Sequence, residues 1–446
     1  MSDEPTGPTS DAGSADGRLD VGFVPAECPG AEATGAVQTS TLLVEHLSRH
    51  HDLTVYVASQ LDASERDLPA EDRVDYVLHD DLPKLPHPIS VIVDALREET
   101  DALETHDLVH AYSPAFLPVL ADLESPTLVT LNSYVPVCPK GDMMYGGTEK
   151  CSGPGYGKCV GCVGRTALDR QQGIENELRA AYTALGRLGF VHENIERSDD
   201  IDAYHALSPH LVEDYGDLGF PTDRIEVIPH FYDDAFHRPE AVAGPPAEQP
   251  GDDLSLLYVG GLQDIKGVDV LLRALPYLAE RGVDVSLRIA GTGPLESKLR
   301  GLAADIGVAD RVTWLGYVDH ADLPAEYDRA DAFVYPGRID EPFGRVLLEA
   351  LASGTPVVAS DVGSTDYIVG DAGVRFTSES PESLADACVD LVNEYESYVG
   401  AVPTQLERFA PETVVGRFCD LYAAVARGDV GTEGRDKSAE QARKTV

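Results

Sequence analysis

One pattern of apolar runs occurs twice in this chain and limits what it can fold into. The run "RLDVGFVP" is followed by a small-residue loop, "AECPGAEATGA", and then by "VQTSTLLVEHLSRH", where Val37, Leu43, Val44 and Leu47 lie near one helical face. Later "LSLLYVGG" leads through a turn to a helix in which Val268, Leu271, Leu272, Leu275 and Leu278 form a stripe with helical spacing. The runs "DLTVYVA", "DLVHAYS" and "PTLVTLN" continue the first series, and "VSLRIAG", "RVTWLGYV", "AFVYPG" and "TPVVAS" the second. Short, almost wholly apolar strands alternating with helices predict parallel sheets covered on both faces. The expected fold class is therefore α/β, with two Rossmann-like domains facing each other across a cleft.

A chain of 446 residues exceeds the size at which one hydrophobic core stops growing. Residues 1–17 are Gly, Ser, Pro, Thr and acid, too poor in apolar groups to pack, and are expected to be disordered. The first domain is expected over 18–235, and a Pro-, Gly- and acid-rich linker, "RPEAVAGPPAEQPGDD", over 236–252. The second follows over 253–405, and the polar tail 428–446 reads as disordered. Open α/β sheets bind ligands at the carboxyl ends of their strands, so the cleft is the expected site.

Acidic residues number 77 against 34 basic ones, a formal charge of -43. That balance excludes nucleic acid as a natural partner. The acids are spread along the chain and Arg far outnumbers Lys, a composition that predicts a salt-adapted source. In molar salt the Debye length falls to about 3 Å, which screens the self-repulsion. No apolar run is long enough to span a membrane, and the N-terminus lacks a basic region followed by an apolar stretch. The expected location is cytoplasmic, with peripheral membrane attachment left open.

Two motifs in the second series carry chemistry. In "VGGLQDIKG", Gly260 and Gly261 end a strand and Lys266 precedes a helix; glycines admit close backbone approach, and the ammonium suits a diphosphate. Alone this is also an ordinary strand-to-helix turn. In "EPFGRVLLE", Gly344 leaves the first-turn amides of a helix uncovered, where the macrodipole favours an anion. Glu349, a turn further in, is suited to the vicinal hydroxyls of a ribose, and Glu341, in the loop, to hydroxyls of a sugar. The plainer alternative is two more solvated acids, but the apolar and small neighbours of Glu349 in "RVLLEALASG" argue against it.

These motifs, with "RIAGTGPLESKL" and "ADAFVYPGRIDEPFGRVLLEALASGTPVVAS", resemble the donor half of retaining glycosyltransferases of family 4, which have the GT-B fold. The resemblance covers residues 253–375; the first half is similar in layout only. It implies transfer of a sugar from a nucleotide-diphosphate sugar to a glycan, lipid-linked or small-molecule acceptor, without a catalytic metal. Lys266 would hold the diphosphate, Glu349 the ribose and Glu341 the transferred sugar, Glu341 and Lys266 being the catalytic pair. The backbone near Phe343 and Gly344, with Arg345 and Val346, would hold phosphate and sugar. Gly291 and Gly293 would line the cleft, Tyr317 and its neighbours would meet the base, and Gly35 lies in the loop corresponding to the family's Gly-rich loop. Residues 406–427 would form a helix crossing back to the first domain.

Some positions depart from the family. Gly261 stands where many relatives have Arg, Tyr112 and Asn132 where many have His, and "IPHF", with His230, replaces a common "IPNG". His110, Tyr112 and Asn132 are acceptor-side candidates, with a purely structural role as the alternative. Other readings are an epimerase or hydrolase on the same fold, or a non-catalytic sugar-nucleotide-binding protein.

Cys138, Cys151, Cys159 and Cys162 cluster within residues 138–162, ending in C-x-x-C among glycines. This spacing is compatible with a structural zinc site; a redox pair or free thiols are the alternatives.

Overall fold

The computed structural model describes residues 17–30, 35–60, 67–83, 88–146, 149–167, 174–238 and 253–431. The expected N-terminal disorder, part of the "GAEATGA" loop, nearly all of the linker and most of the tail lie outside these residues.

Two parallel sheets organise the chain. The first has the order β3-β2-β1-β4-β5-β8-β9, with β1 at Asp20–Val24, β2 at Asp52–Ala58, β3 at Val74–His79, β4 at Leu108–Ala111, β5 at Thr127–Leu131, β8 at Ala203–Ala206 and β9 at Ile225–Val227. β4, β5 and β8 are buried along their whole length, as their continuous apolar character requires. Between β5 and β8 the chain inserts a small hairpin, β6 (Met144–Tyr145) and β7 (Glu149–Lys150), followed by helices.

The second sheet runs β12-β11-β10-β13-β14-β15, with β10 at Asp253–Val259, β11 at Asp284–Ala290, β12 at Val312–Gly316, β13 at Ala332–Tyr335, β14 at Val357–Ser360 and β15 at Gly373–Phe376. The helix Val268–Glu280 packs its predicted stripe into this core, where Val268, Leu271, Leu272, Leu275 and Leu278 are all buried. Each such side chain contributes about 1.5–3 kcal/mol. Strand order reverses at β1/β4 in one sheet and at β10/β13 in the other, and a crevice opens at each reversal.

The end of the chain returns to the first sheet. Val414, Val415, Phe418, Leu421, Tyr422 and Val425 of the helix Pro411–Ala426 share a core with Val21, Phe23, Leu43 and Val55. This helix starts at Pro411, a favoured first helical position, whereas residues 406 and 407 end the preceding helix Tyr395–Glu407. Among the described residues no helix is long and apolar enough to cross a membrane.

Candidate active site

A cavity of about 810 Å³ lies between the two sheets, large enough for a sugar nucleotide. Its N-terminal wall comes from loops after β1, β4, β5 and β9, including Gly30, Tyr112, Asn132 and His230, and from Gln38 of the helix Gly35–Leu47. Its C-terminal wall comes from the segments after β10, β12 and β13, including Gly260, Gly261, Lys266, Tyr317, Glu341 and Phe343, and from Arg345, Val346 and Glu349 of the helix Arg345–Ala352. The strand ends of both domains thus converge on one volume.

Lys266 sits in a single 3₁₀ turn, Asp264–Lys266, that ends at Gly267 in the left-handed region, φ 66°. A side chain at Gly267 would collide with the Pro336 carbonyl, its Cβ only 1.9 Å from that oxygen, so glycine is required where this turn meets the loop after β13. That contact brings together two segments about 75 residues apart. Across it, Lys266 Nζ and Glu341 Oε1 form an ion pair, both side chains half-buried.

Glu349 is 8% exposed, so it is not one more solvated acid. Tyr327 donates to its Oε2 at 3.3 Å, while Arg345 Nε and His320 Nε2 stand 3.9 and 3.8 Å from Oε1. Arg345 opens the helix Arg345–Ala352, whose N-cap is Gly344, and it crosses the cleft to donate to Thr39 Oγ1 at 2.6 Å. The N-terminal domain clasps this loop elsewhere as well: Ser208 donates to the Pro342 carbonyl at 3.1 Å, and the His230 and Phe343 rings meet edge to face with centroids 4.7 Å apart.

Several sequence candidates lie behind the cavity rather than on it. Gly291 backs Gly260, where a Cβ would come within 1.9 Å of the Gly260 carbonyl, and at Gly293 a Cβ would come within 2.5 Å of the Leu262 carbonyl. Neither is among the residues lining the wall, nor is Gly344. Gly35 begins the helix Gly35–Leu47, one turn before the lining residue Gln38. Of the acceptor-side candidates, Tyr112 and Asn132 line the cavity and are joined by a bond from Asn132 Nδ2 to the Tyr112 carbonyl at 2.6 Å. His110 is fully buried instead, its Nδ1 2.7 Å from Tyr422 Oη and its Nε2 2.7 Å from Thr130 Oγ1. It joins the returning helix to the first sheet, the structural alternative weighed for it.

Sequence reasoning overlooked Tyr335 and Tyr258. The Tyr335 hydroxyl is buried beside Glu341 in the cavity wall and has no well-formed hydrogen bond among the described residues. Tyr258 donates to the Gly261 carbonyl at 2.9 Å and so fixes that turn. Both ended strands whose apolar character concealed a polar tip.

The sulfurs of three of the four clustered cysteines meet backbone groups. Cys162 Sγ accepts from the Gly146 amide at 3.2 Å, Cys159 Sγ accepts from the Gly155 amide at 3.4 Å, and Cys151 Sγ donates to the Gly153 carbonyl at 3.5 Å. Cys138 is buried, and burial pushes its thiol pKa up. Among the described residues no three His, Cys, Asp or Glu side chains converge as a metal-holding group.

Paired Rossmann-like sheets around a shared cleft define a GT-B protein. In keeping with this, sucrose-phosphate synthase from Thermosynechococcus elongatus superposes with a TM-score of 0.63 over 91% of this chain and 98% of that one, at 20% identity. Residues 253–394 match the family described as Glycosyl transferases group 1. Two curated mannosyltransferases are similar in sequence. Phosphatidyl-myo-inositol mannosyltransferase of Mycobacterium leprae is 37% identical over 178 residues, 39% of this chain and 47% of that protein. The GDP-mannose-dependent alpha-(1-6)-phosphatidylinositol monomannoside mannosyltransferase of Mycobacterium tuberculosis is 32% identical over 226 residues, 48% and 56% of the two chains. The chain spans about half the length of these relatives.

Proposed function

We propose that the protein is a retaining glycosyltransferase that moves a sugar from a nucleotide-diphosphate sugar to a glycan, lipid-linked or small-molecule acceptor. One observation carries the reading: Lys266, Glu341, Glu349 and the Arg345–Ala352 helix start meet at the interdomain cavity. The diphosphate lies between the Lys266 ammonium and the uncovered amides at Gly344, the ribose on Glu349, and the transferred sugar against Glu341 and Phe343. In the reaction the bond from sugar C1 to the diphosphate oxygen breaks, and a bond to the acceptor oxygen forms on the same face. The acceptor's proton passes to the departing phosphate. Lys266 and the helix dipole stabilise the charge that develops on the leaving group, which supplies most of the acceleration. This reading requires no catalytic metal, and a zinc ion at Cys138, Cys151, Cys159 and Cys162 would be structural. It places the enzyme in a salt-adapted cytoplasm, with peripheral attachment to the membrane where the acceptor is lipid-linked.

The similarity to a GDP-mannose-dependent enzyme supports an activated nucleotide donor. A panel of nucleotide sugars, assayed in molar potassium chloride for nucleoside diphosphate release with and without acceptors, tests the proposal. Acceptor-dependent release is expected; release that ignores every acceptor points to a hydrolase, and binding without turnover to a sensor.

A further inference from the structure

Beneath the N-terminal wall of the cavity runs an unbroken line of hydrogen bonds. Tyr422 Oη of the returning helix is 2.7 Å from His110 Nδ1, and His110 Nε2 is 2.7 Å from Thr130 Oγ1. Thr130 Oγ1 is in turn 2.9 Å from His205 Nδ1, and His205 Nε2 is 2.6 Å from the Ile228 carbonyl. All five residues are buried. His110, Thr130 and His205 stand on β4, β5 and β8, and Ile228 directly follows β9. Two positions beyond each of these four the chain reaches the cavity, at Tyr112, Asn132, Leu207 and His230. The line therefore passes under four of the strand ends that build the wall.

The direction of every bond follows from the last one. A carbonyl oxygen only accepts, so His205 carries its hydrogen on Nε2, and a neutral ring then leaves Nδ1 bare. Thr130 has one hydrogen, and it goes to that nitrogen. The threonine oxygen accepts from His110 Nε2–H, and the bare His110 Nδ1 accepts the Tyr422 proton. Both rings are neutral, because burial lowers the His110 pKa well below its ordinary value and, opposed by the Ile228 bond, brings His205 down to about 4.

We propose that Tyr422, His110, Thr130 and His205 form one directed chain through which the returning helix holds the cavity wall in register, Tyr422 being a positioning residue for Tyr112, Asn132, Leu207 and His230. The backbone ladder stops just short of that wall, its last pairs being Ala111 with Val129, Leu131 with Ala206 and Ala206 with Val227. Loss of one member of a buried chain leaves its neighbour unsatisfied, so the effect passes along the line. The helix before the returning one, Tyr395–Glu407, places Tyr395 and Val399 in the core of the second domain. The chain thus ties the wall of one domain to a connection arriving from the other. This goes beyond the transferase reading and does not depend on which ligand the cleft takes.

Histidine-labelled nitrogen NMR on the full chain in molar potassium chloride reads the tautomers. At about pH 7 His110 and His205 should both be neutral, each with Nε2 protonated and Nδ1 bare. A protonated Nδ1 on either ring overturns the chain. Tyr422→Phe removes only the first donor and leaves the ring in its core. Amide exchange at Tyr112, Asn132, Leu207 and His230 should then quicken about tenfold, while Phe23 and Val55, which share a core with Tyr422, change less than about twofold. Val425→Ala, which loosens the same helix without touching the chain, should not reproduce that contrast. Uniform quickening in Tyr422→Phe, no quickening at the four wall positions, or the same contrast in Val425→Ala overturns the positioning role. No ligand enters these measurements, so their failure leaves the transferase reading standing.

Discussion

His210 Nε2 lies 3.4 Å from Asp340 Oδ2 and joins the first domain to the residue immediately before Glu341. The same nitrogen is 3.1 Å from Asp214, and Lys150 of the inserted hairpin stands 2.8 Å from Asp214 and 3.1 Å from Asp340. Neither carboxylate is in line for a directed hydrogen bond to that nitrogen, which has no such partner, so the attraction is Coulombic. Asp340 also accepts from the Gly363 amide at 2.8 Å, so the cluster helps to hold the loop carrying Glu341.

This cluster predicts how stability varies with pH. Its interactions with Asp214 and Asp340, opposed by burial, push the His210 pKa up to about 9. A raised histidine contributes fully below its ordinary pKa, near 6.5, and that contribution is lost as pH rises through about 9. Asp340 is held low chiefly by His210, and Asp214 is held low by His210, Lys150 and Tyr134 despite its burial. The aspartates therefore contribute above the usual carboxylate range and lose that contribution in acid. Stability from the cluster is greatest at about pH 4 to 6.5. Thermal unfolding should weaken between about pH 6.5 and 9 by on the order of 1–3 kcal/mol, and His210→Gln should flatten this slope. An unchanged slope in the variant would remove the cluster from the account.

Glu349→Ala should weaken nucleotide-sugar affinity about tenfold to a hundredfold, since bonds from two ribose hydroxyls to a buried carboxylate are lost. Lys266→Ala should instead lower kcat about a hundredfold or more, because its charge matters most as the diphosphate departs. Steady-state kinetics with a fixed acceptor separates the two. A Glu349→Ala enzyme with unaltered KM would refute the ribose assignment.

Gly261 offers a test by addition. A Cβ there meets nothing closer than Gln263 at 3.8 Å, and its backbone lies outside the left-handed region. Gly261→Arg should therefore fold normally and bring a guanidinium toward the diphosphate, tightening nucleoside diphosphate binding about threefold to tenfold at low salt. Titration calorimetry at two ionic strengths checks it, and the gain should shrink in molar salt.

The charge of -43 predicts that the folded state needs salt. Raising potassium chloride from about 0.1 M to about 3 M should increase the unfolding midpoint, with the steepest gain below about 1 M, where the Debye length is still contracting. Differential scanning calorimetry across that range would show a flat profile if the acidic surface carried no such penalty.

The layout was readable from residues alone because periodicity is local. Continuous apolar runs, the stripe from Val268 to Leu278, and the Glu341-to-Glu349 spacing each depend on neighbours within a few turns. They were enough to indicate two parallel sheets, the cleft at their strand ends, and a cleft wall built on one helix start. The returning helix was read only a few residues out, because its first turn is set by Pro411 while residues 406 and 407 still belong to the helix before it.

The rest depended on which distant residues meet. Tyr112 and His230 are 118 positions apart, and Arg345 and Thr39 are 306. His110 and Tyr112, two positions apart, share one face, their rings 6.0 Å apart, but His110 lies inside β4 and is sealed by Tyr422 and Thr130, whereas Tyr112, one residue past the strand, reaches the cavity wall. The four cysteines looked alike in sequence, yet each sulfur found a different backbone partner or a buried setting once the hairpin folded. Residue order alone determined the elements and the chemistry available to the donor half. The pairing of side chains across the cleft was decided by the three-dimensional fold, since hydrogen bonds and ion pairs depend on distances of a few ångströms that sequence separation does not encode.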